Sequence, residues 1–496
     1  MERNSGILLH PTSLPDNPIC GTFGKPSREW LNDLAKCGIG VWQFLPLAPP
    51  DALGSPYSSP SSFAFNPWFL DEKDLVRDGF LANNLENFFS EIKNSDESVD
   101  FQLANSKVKF LSSSLLDCWD KQNSNIKKEF EMWCHKQFWL DDHSKFMELK
   151  IQNNNLPWWK WQEKFAAYDK RELVNWEKNN YEELLGHKLI QWHLDRQWKS
   201  IRELAKNLGI CLFGDVPFYV SKDSADVWSN RSLFSILTNS DTYLQSGVPP
   251  DYFSETGQLW GNPVYRWSRH KSNKFRWWRK RISRHLEQVD YLRLDHFRAL
   301  EAFWAIPGKD QTAENGFWLP SPGKEILGLI KKDCGGDLPL VAEDLGFITS
   351  KVEKLRDDYE LAGMKILQFA FDGNLDNPYL PENIKDENWI VYTGTHDNST
   401  SLGWWREMVH DNREQIKERI LDHENFSSWE LIRIGMETKA KLFVAPMQDL
   451  FNLDDRSRLN KPGTIENNWS WRINRNNFNI KEVLKKYGDL AEKYQR

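Results

Sequence analysis

Eight short stretches of the chain share one arrangement of apolar and polar positions. Each runs through a few aliphatic or aromatic residues and then breaks into Gly, Pro or polar residues. They are GILLHPTS (6–13), GVWQFLPLAP (40–49), ICLFGDVPF (210–218), YLRLDHFR (291–298), LPLVAEDLG (338–346), MKILQFAFDG (364–373), WIVYTGTHDN (389–398) and KLFVAPMQDL (441–450). Apolar runs of this length predict parallel strands buried on both faces. Helical periodicity fills the intervals. PSREWLNDLAKCG (26–38) sets Trp30, Leu31 and Leu34 on one face, with Ser27 as cap and Gly38 as stop. KLIQWHLDRQWKSIRELAKNLG (188–209) repeats Ile190, Leu194, Trp198, Ile201, Leu204 and Leu208 at helical spacing. TSKVEKLRDDYELAG (349–363) reads as a helix from a Thr-Ser cap to Gly363. Strands alternating with helices predict an α/β fold, a (β/α)8 barrel formed by residues 1–496 as one unit.

The spacing is uneven. The interval between the second and third segments far exceeds a barrel unit, and its stretch near 75–180 is polar, Asn-rich and Trp-rich. It predicts a helical insertion subdomain over about 51–205. A second insertion, carrying a lid loop, is expected over about 220–270. The residues after the eighth segment are too few for a C-terminal β-sandwich, which needs roughly 100.

Composition narrows the partners. The 496 residues are 40% hydrophobic and 27% charged, which suits a globular chain with a full core. A net charge of −7 argues against a general nucleic-acid binder, and the basic stretch 271–288 reads as a solvated helix face. Six scattered cysteines form no C-x-x-C pair, so free thiols in a reducing, cytoplasmic setting are expected, with no zinc site. No apolar stretch approaches the roughly 18 residues of a membrane span, and no signal-peptide pattern opens the chain. The 25 tryptophans fill a core, but indole rings also stack on sugar faces.

Barrel chemistry sits at the C-terminal ends of strands. Asp215, Asp295, Glu343 and Asp397 occupy such ends. Period-two alternation turns Arg293 and Asp295 to the same side. The guanidinium is expected to keep Asp295 ionised, while the apolar run around Glu343 favours its protonated form. One ionised and one protonated carboxyl across a cleft suit glycoside chemistry. Taken singly, each motif has a structural reading: an ion pair at Arg293–Asp295, a helix cap at Glu343 or Asp344, an Asx turn at TGTHDN.

Four motifs in order, GDVPFYV (214–220), LRLDHFR (292–298), VAEDLG (341–346) and TGTHDN (393–398), resemble those of the α-amylase clan. HPTSLP (10–15), LPLAPPDALGSPYSSPSSFAFNP (45–67), GVPPDYFSETGQLWGNPVYRW (247–267), GMKILQFAFDGNLDNPYLP (363–381) and LNKPGTIENNWSWR (459–472) narrow the resemblance to glycoside hydrolase family 77, the 4-α-glucanotransferases. The resemblance implies Asp295 as nucleophile, Glu343 as acid/base and Asp397 as a third carboxylate that distorts the reacting sugar. It implies sugar-binding roles for Arg293, His396 and Asp215, glucan subsites lined by Ser55, Tyr57, Gln258 and Trp260, and a lid containing Asp251. Transfer of α-1,4-glucan segments among maltooligosaccharides, with glucose as an acceptor, is the function it implies. Neither cofactor nor metal is expected. An α-glucan hydrolase with the same carboxylates is the nearest rival, and a non-catalytic glycan-binding barrel the more distant one. No G-x-G-x-x-G or P-loop pattern is present.

Overall fold

The computed structural model describes residues 3–82, 98–250, 254–408, 416, 417, 419, 420 and 425–496. The strands within them run β1 (Asn4–Leu8), β2 (Val41–Gln43), β3 (Cys211–Val216), β4 (Leu244–Val248), β5 (Gln258–Pro263) and β6 (Tyr291–Leu294). They continue through β7 (Ala302–Pro307), β8 (Phe317–Pro320), β9 (Leu340–Ala342), β10 (Gly363–Ile366), β11 (Trp389–Tyr392) and β12 (Leu442–Pro446).

Eight of these form one parallel sheet in the order β10-β11-β12-β1-β2-β3-β6-β9. A parallel bridge between Val341 and Ala362 joins β9 to the start of β10, and the Ala342 N–H donates to the Ala362 carbonyl at 2.8 Å, so the sheet closes on itself. Each of the eight lies within one of the apolar runs, or overlaps one by all but its first residues. Their side chains are buried almost throughout, as a sheet clad by helices outside and filled by side chains inside demands. Register sets Asp215 beside Arg293 on neighbouring strands, and Arg293 beside Val341 on the next.

The helices pack outside. Lys25–Lys36 buries Trp30, Leu31 and Leu34, as their spacing predicts. Ser27 is not its cap: the helix opens at Gly24 with a proline in its first turn, and the Ser27 hydroxyl donates inward to the Thr22 carbonyl. Tyr181–Asn207 buries Ile190, Leu194, Trp198 and Ile201. The helix expected to reach Gly363 ends at Asp358, because Glu360 turns left-handed and Gly363 opens β10. A Cβ on Gly363 would lie 2.4 Å from Trp389, so only glycine fits that strand start.

Between β2 and β3 the chain forms helices, among them Glu72–Arg77, and Phe101–Trp119, Ser124–Lys136 and Leu140–Gln152 gather on the long helix Tyr181–Asn207. A fully buried ion pair, Lys107 to Glu72 at 2.9 Å, ties two of them together. Beyond β3 the structure adds an element that the apolar pattern did not separate. β4 and β5 pair antiparallel with each other and, through β7 and β8, make a four-stranded sheet in the order β5-β4-β7-β8. Half of that sheet follows β3 and half follows β6. After β12 the described residues form no further strand. They return across the barrel instead: Arg472 donates to the Leu14 and Asn17 carbonyls, and Tyr487 donates to the Gly6 carbonyl at 2.8 Å.

Candidate active site

The C-terminal ends of β3, β6 and β9 bring together most of the carboxylates marked in the sequence. Arg293, on β6, points the same way as Asp295 just beyond the strand end. Its guanidinium spans two carboxylates, Asp215 at 2.6 Å and Asp295 at 2.8 Å. A planar fork suits that double contact, whereas an ammonium would hold one partner. Tyr57 completes the cluster by donating its hydroxyl to Asp215 at 2.7 Å. Asp215 is therefore buried between Arg293 and Tyr57, while the Asp295 side chain keeps 31% of its surface exposed toward solvent.

The turn after Asp295 does a second job. His296 adopts left-handed backbone angles (φ 50°, ψ 45°), an uncommon choice for a residue with a Cβ. That turn aims the His296 N–H at Glu343 Oε2, 2.8 Å away. The Leu345 N–H donates to Glu343 Oε1 at 3.0 Å. Glu343 is thus held by backbone on both oxygens, and among the described residues no cation is in contact with it.

Burial raises both carboxyls. Burial pushes Glu343 up to about 7, against the opposing pull of Arg293, and repulsion from Asp295 adds to the rise. Asp295 also lies above its ordinary value, which corrects the expectation that Arg293 would set it low. Burial at the strand end outweighs the pull of the guanidinium, and the negative charges of Asp215 and Asp397 add to the rise.

Asp397 follows β11 in the TGTHDN turn. Its Oδ1 lies 3.3 Å from His396 Nε2 and accepts from Asn460 Nδ2 at 2.6 Å. His396 stacks flat on Tyr57, ring centroids 5.0 Å apart at 12°, so this turn leans on the Arg293 cluster. His10, at the end of β1, stands near His396. Burial pulls it down to about 3, so it stays neutral.

The remaining sequence candidates scatter around this centre. Ser55 shapes the turn that presents Tyr57, its hydroxyl accepting from the Tyr57 N–H at 3.3 Å. Trp260, on β5, donates to the Gln258 side chain at 3.1 Å and sets its ring edge-on to His296 at 4.8 Å. Asp251 lies outside the described residues. The sequence reading missed His296, Asn460, Arg458 and Trp469. His296 followed Asp295 in plain view, but nothing in its type announces a left-handed backbone. The other three lie in LNKPGTIENNWSWR and its preceding arginine, more than 50 residues from the motif they touch.

A closed parallel barrel whose strand ends gather three carboxylates and one bridging arginine is the build of an enzyme that works on glycosidic bonds. Residues 9–477 match the family model described as 4-alpha-glucanotransferase, and the chain belongs to that family, glycoside hydrolase family 77. It is 40% identical over 486 residues to a 4-alpha-glucanotransferase of Synechocystis, covering 96% of this chain and 95% of the relative. It is 37% identical to one of Thermus thermophilus, with 95% of each covered. Its fold superposes on an amylomaltase from Streptococcus agalactiae, solved in complex with acarbose, with a TM-score of 0.94 at 32% identity and full coverage of both chains.

Proposed function

We propose that this 4-alpha-glucanotransferase moves α-1,4-glucan segments between maltooligosaccharides, glucose included as acceptor, by a retaining double displacement. The observation that carries the mechanism is the unequal pair: Glu343 raised to about 7 with no cation in contact among the described residues, and Asp295 in direct contact with Arg293. We assign the proton to Glu343 and the charge to Asp295, the one of the two that touches Arg293. In the first half, the Glu343 hydroxyl protonates the glycosidic oxygen while an Asp295 oxygen attacks C1, releasing the shortened chain and leaving a glycosyl ester. In the second, the Glu343 carboxylate takes the proton of an acceptor 4-hydroxyl, whose oxygen attacks C1 and returns Asp295 to a carboxylate. Asp397 binds hydroxyls of the sugar at C1, and its exposed side chain (45%) suits that role. Arg293, His396 and Tyr57 hold the carboxylates and the sugar, and Asp215 acts through Arg293 and Tyr57. Ser55, Gln258 and Trp260 line the glucan path.

The same reading takes the chain as one catalytic barrel with insertions near 51–205 and 220–270. It places the enzyme in the cytoplasm, which six unpaired cysteines support. Among the described residues no helix is long and apolar enough to cross a membrane. Incubation with pure maltotriose tests the function. Transfer yields glucose and a ladder of longer oligosaccharides, whereas shorter sugars alone would establish the hydrolase instead.

A further inference from the structure

Asp397 does not hold its own orientation. It sits beyond β11 on a turn, with nearly half its side chain exposed, and its two side-chain contacts both fall on Oδ1. The shorter, at 2.6 Å, comes from Asn460. A carboxylate only accepts, so the Asn460 amide must face it with its nitrogen. The backbone around Asn460 repeats the grip. Its N–H donates to the His396 carbonyl at 3.1 Å. Arg458 donates to the Asp397 carbonyl and, at 3.1 Å, to the Ser399 hydroxyl, while its Nε donates to the Asn460 carbonyl at 2.7 Å. The segment is itself braced, the Trp469 N–H closing on the Leu459 carbonyl at 2.6 Å.

We infer that Asn460 is a positioning residue for the transfer reaction: it pins Asp397 Oδ1 and leaves Oδ2 to the hydroxyls of the distorted sugar. The inference rests on the role proposed above for Asp397. Besides Asn460, the groups that bear on this residue are His396 at 3.3 Å, the Arg458 guanidinium on the Asp397 carbonyl and, across the cleft, Asp295 and Tyr57. None of them replaces a neutral donor that is present at every pH.

The test is a pair of variants on maltotriose, each checked for an unchanged fold by thermal unfolding. Asn460→Ala removes one hydrogen bond to a charged group, and kcat is expected to fall about tenfold or more with KM nearly unchanged. Asn460→Asp sets a second carboxyl against Oδ1. At acid pH one shared proton restores the donor. As pH rises both groups ionise and repel. The ratio of this variant's kcat to that of the wild type is therefore expected to fall with rising pH, while the Asn460→Ala ratio stays flat. A merely structural asparagine would lower the unfolding temperature without bending the ratio. An Asn460→Ala variant within about twofold of wild-type kcat, or an Asn460→Asp ratio that does not change with pH, would overturn the inference. Asp397→Asn is the control. If it proves inactive while Asn460→Ala is unaffected, only the inference fails; if Asp397→Asn stays active, the role of Asp397 fails first.

Discussion

At the scale of single residues, the chemistry comes down to where one proton resides. Glu343, with burial lifting it to about 7, is protonated below that pH and loses its proton above it. In the proposed mechanism the first half-reaction needs the proton. kcat/KM for an unactivated donor should fall as pH rises through about 7, approaching tenfold per unit. A donor with a good leaving group, such as a maltosyl fluoride, needs no protonation and should show no such alkaline limb in its first step. If both donors lose rate together, the assignment of Glu343 as acid is wrong. Arg293 makes a second prediction. It holds Asp215 and Asp295 at once, through two nitrogens. Arg293→Lys keeps the charge but can satisfy only one of them, leaving the other without its cationic partner. The loss of 2 or more kcal/mol expected for such a broken contact corresponds to a rate loss of about 30-fold or more. Steady-state kinetics alongside thermal unfolding would separate this from a general loss of fold.

At the scale of elements, the segments between β2 and β3 and between β3 and β6 serve the barrel differently. The β4–β5 hairpin presents Trp260 beside His296, at the edge of the cleft. In the role proposed for Trp260, stacking there would favour a sugar over water by on the order of 1 kcal/mol. Trp260→Ala should therefore cut transfer several-fold more than hydrolysis, read from the products of maltotriose. An unchanged product ratio at lower total rate would leave Trp260 as a packing residue. The helical insertion is pinned by Lys107 and Glu72, neither with appreciable exposure. Lys107→Ala strands a buried carboxylate and should cost about 3–5 kcal/mol in denaturant unfolding. The paired change Lys107→Met with Glu72→Gln should recover much of it. What the sequence revealed follows the same division. The barrel strands were legible because burial on both faces leaves an unbroken apolar run. β4, β5, β7 and β8 were not: QLWGNP and FWLP keep several side chains exposed, and LQSGV and AFWAIP pair with each other from far apart in the chain. Short, half-exposed segments with distant partners carry no local period to detect.

At the scale of the whole molecule, the barrel turns distance along the chain into proximity. Asp215 and Arg293 are 78 residues apart and in contact, because β3 and β6 are neighbours in a parallel sheet. The carboxylates were legible as chemistry at strand ends, since each interrupts an apolar run. Their supports were not. The left-handed His296 that orients Glu343, and the Asn460 contact to Asp397, depend on tertiary placement that no local pattern encodes. The central claim is that the donor chain is held covalently on Asp295 between the two halves of the reaction. Glu343→Gln removes the acid and the base together. With α-maltotriosyl fluoride, the first step still proceeds and the second stalls, so the intermediate accumulates. Mass spectrometry of the protein, followed by peptic mapping, reads it directly. The account predicts a maltotriosyl adduct on the peptide containing Asp295, released when azide is added to give the α-linked azide. An adduct on another residue, or no adduct together with a β-linked product, would contradict it.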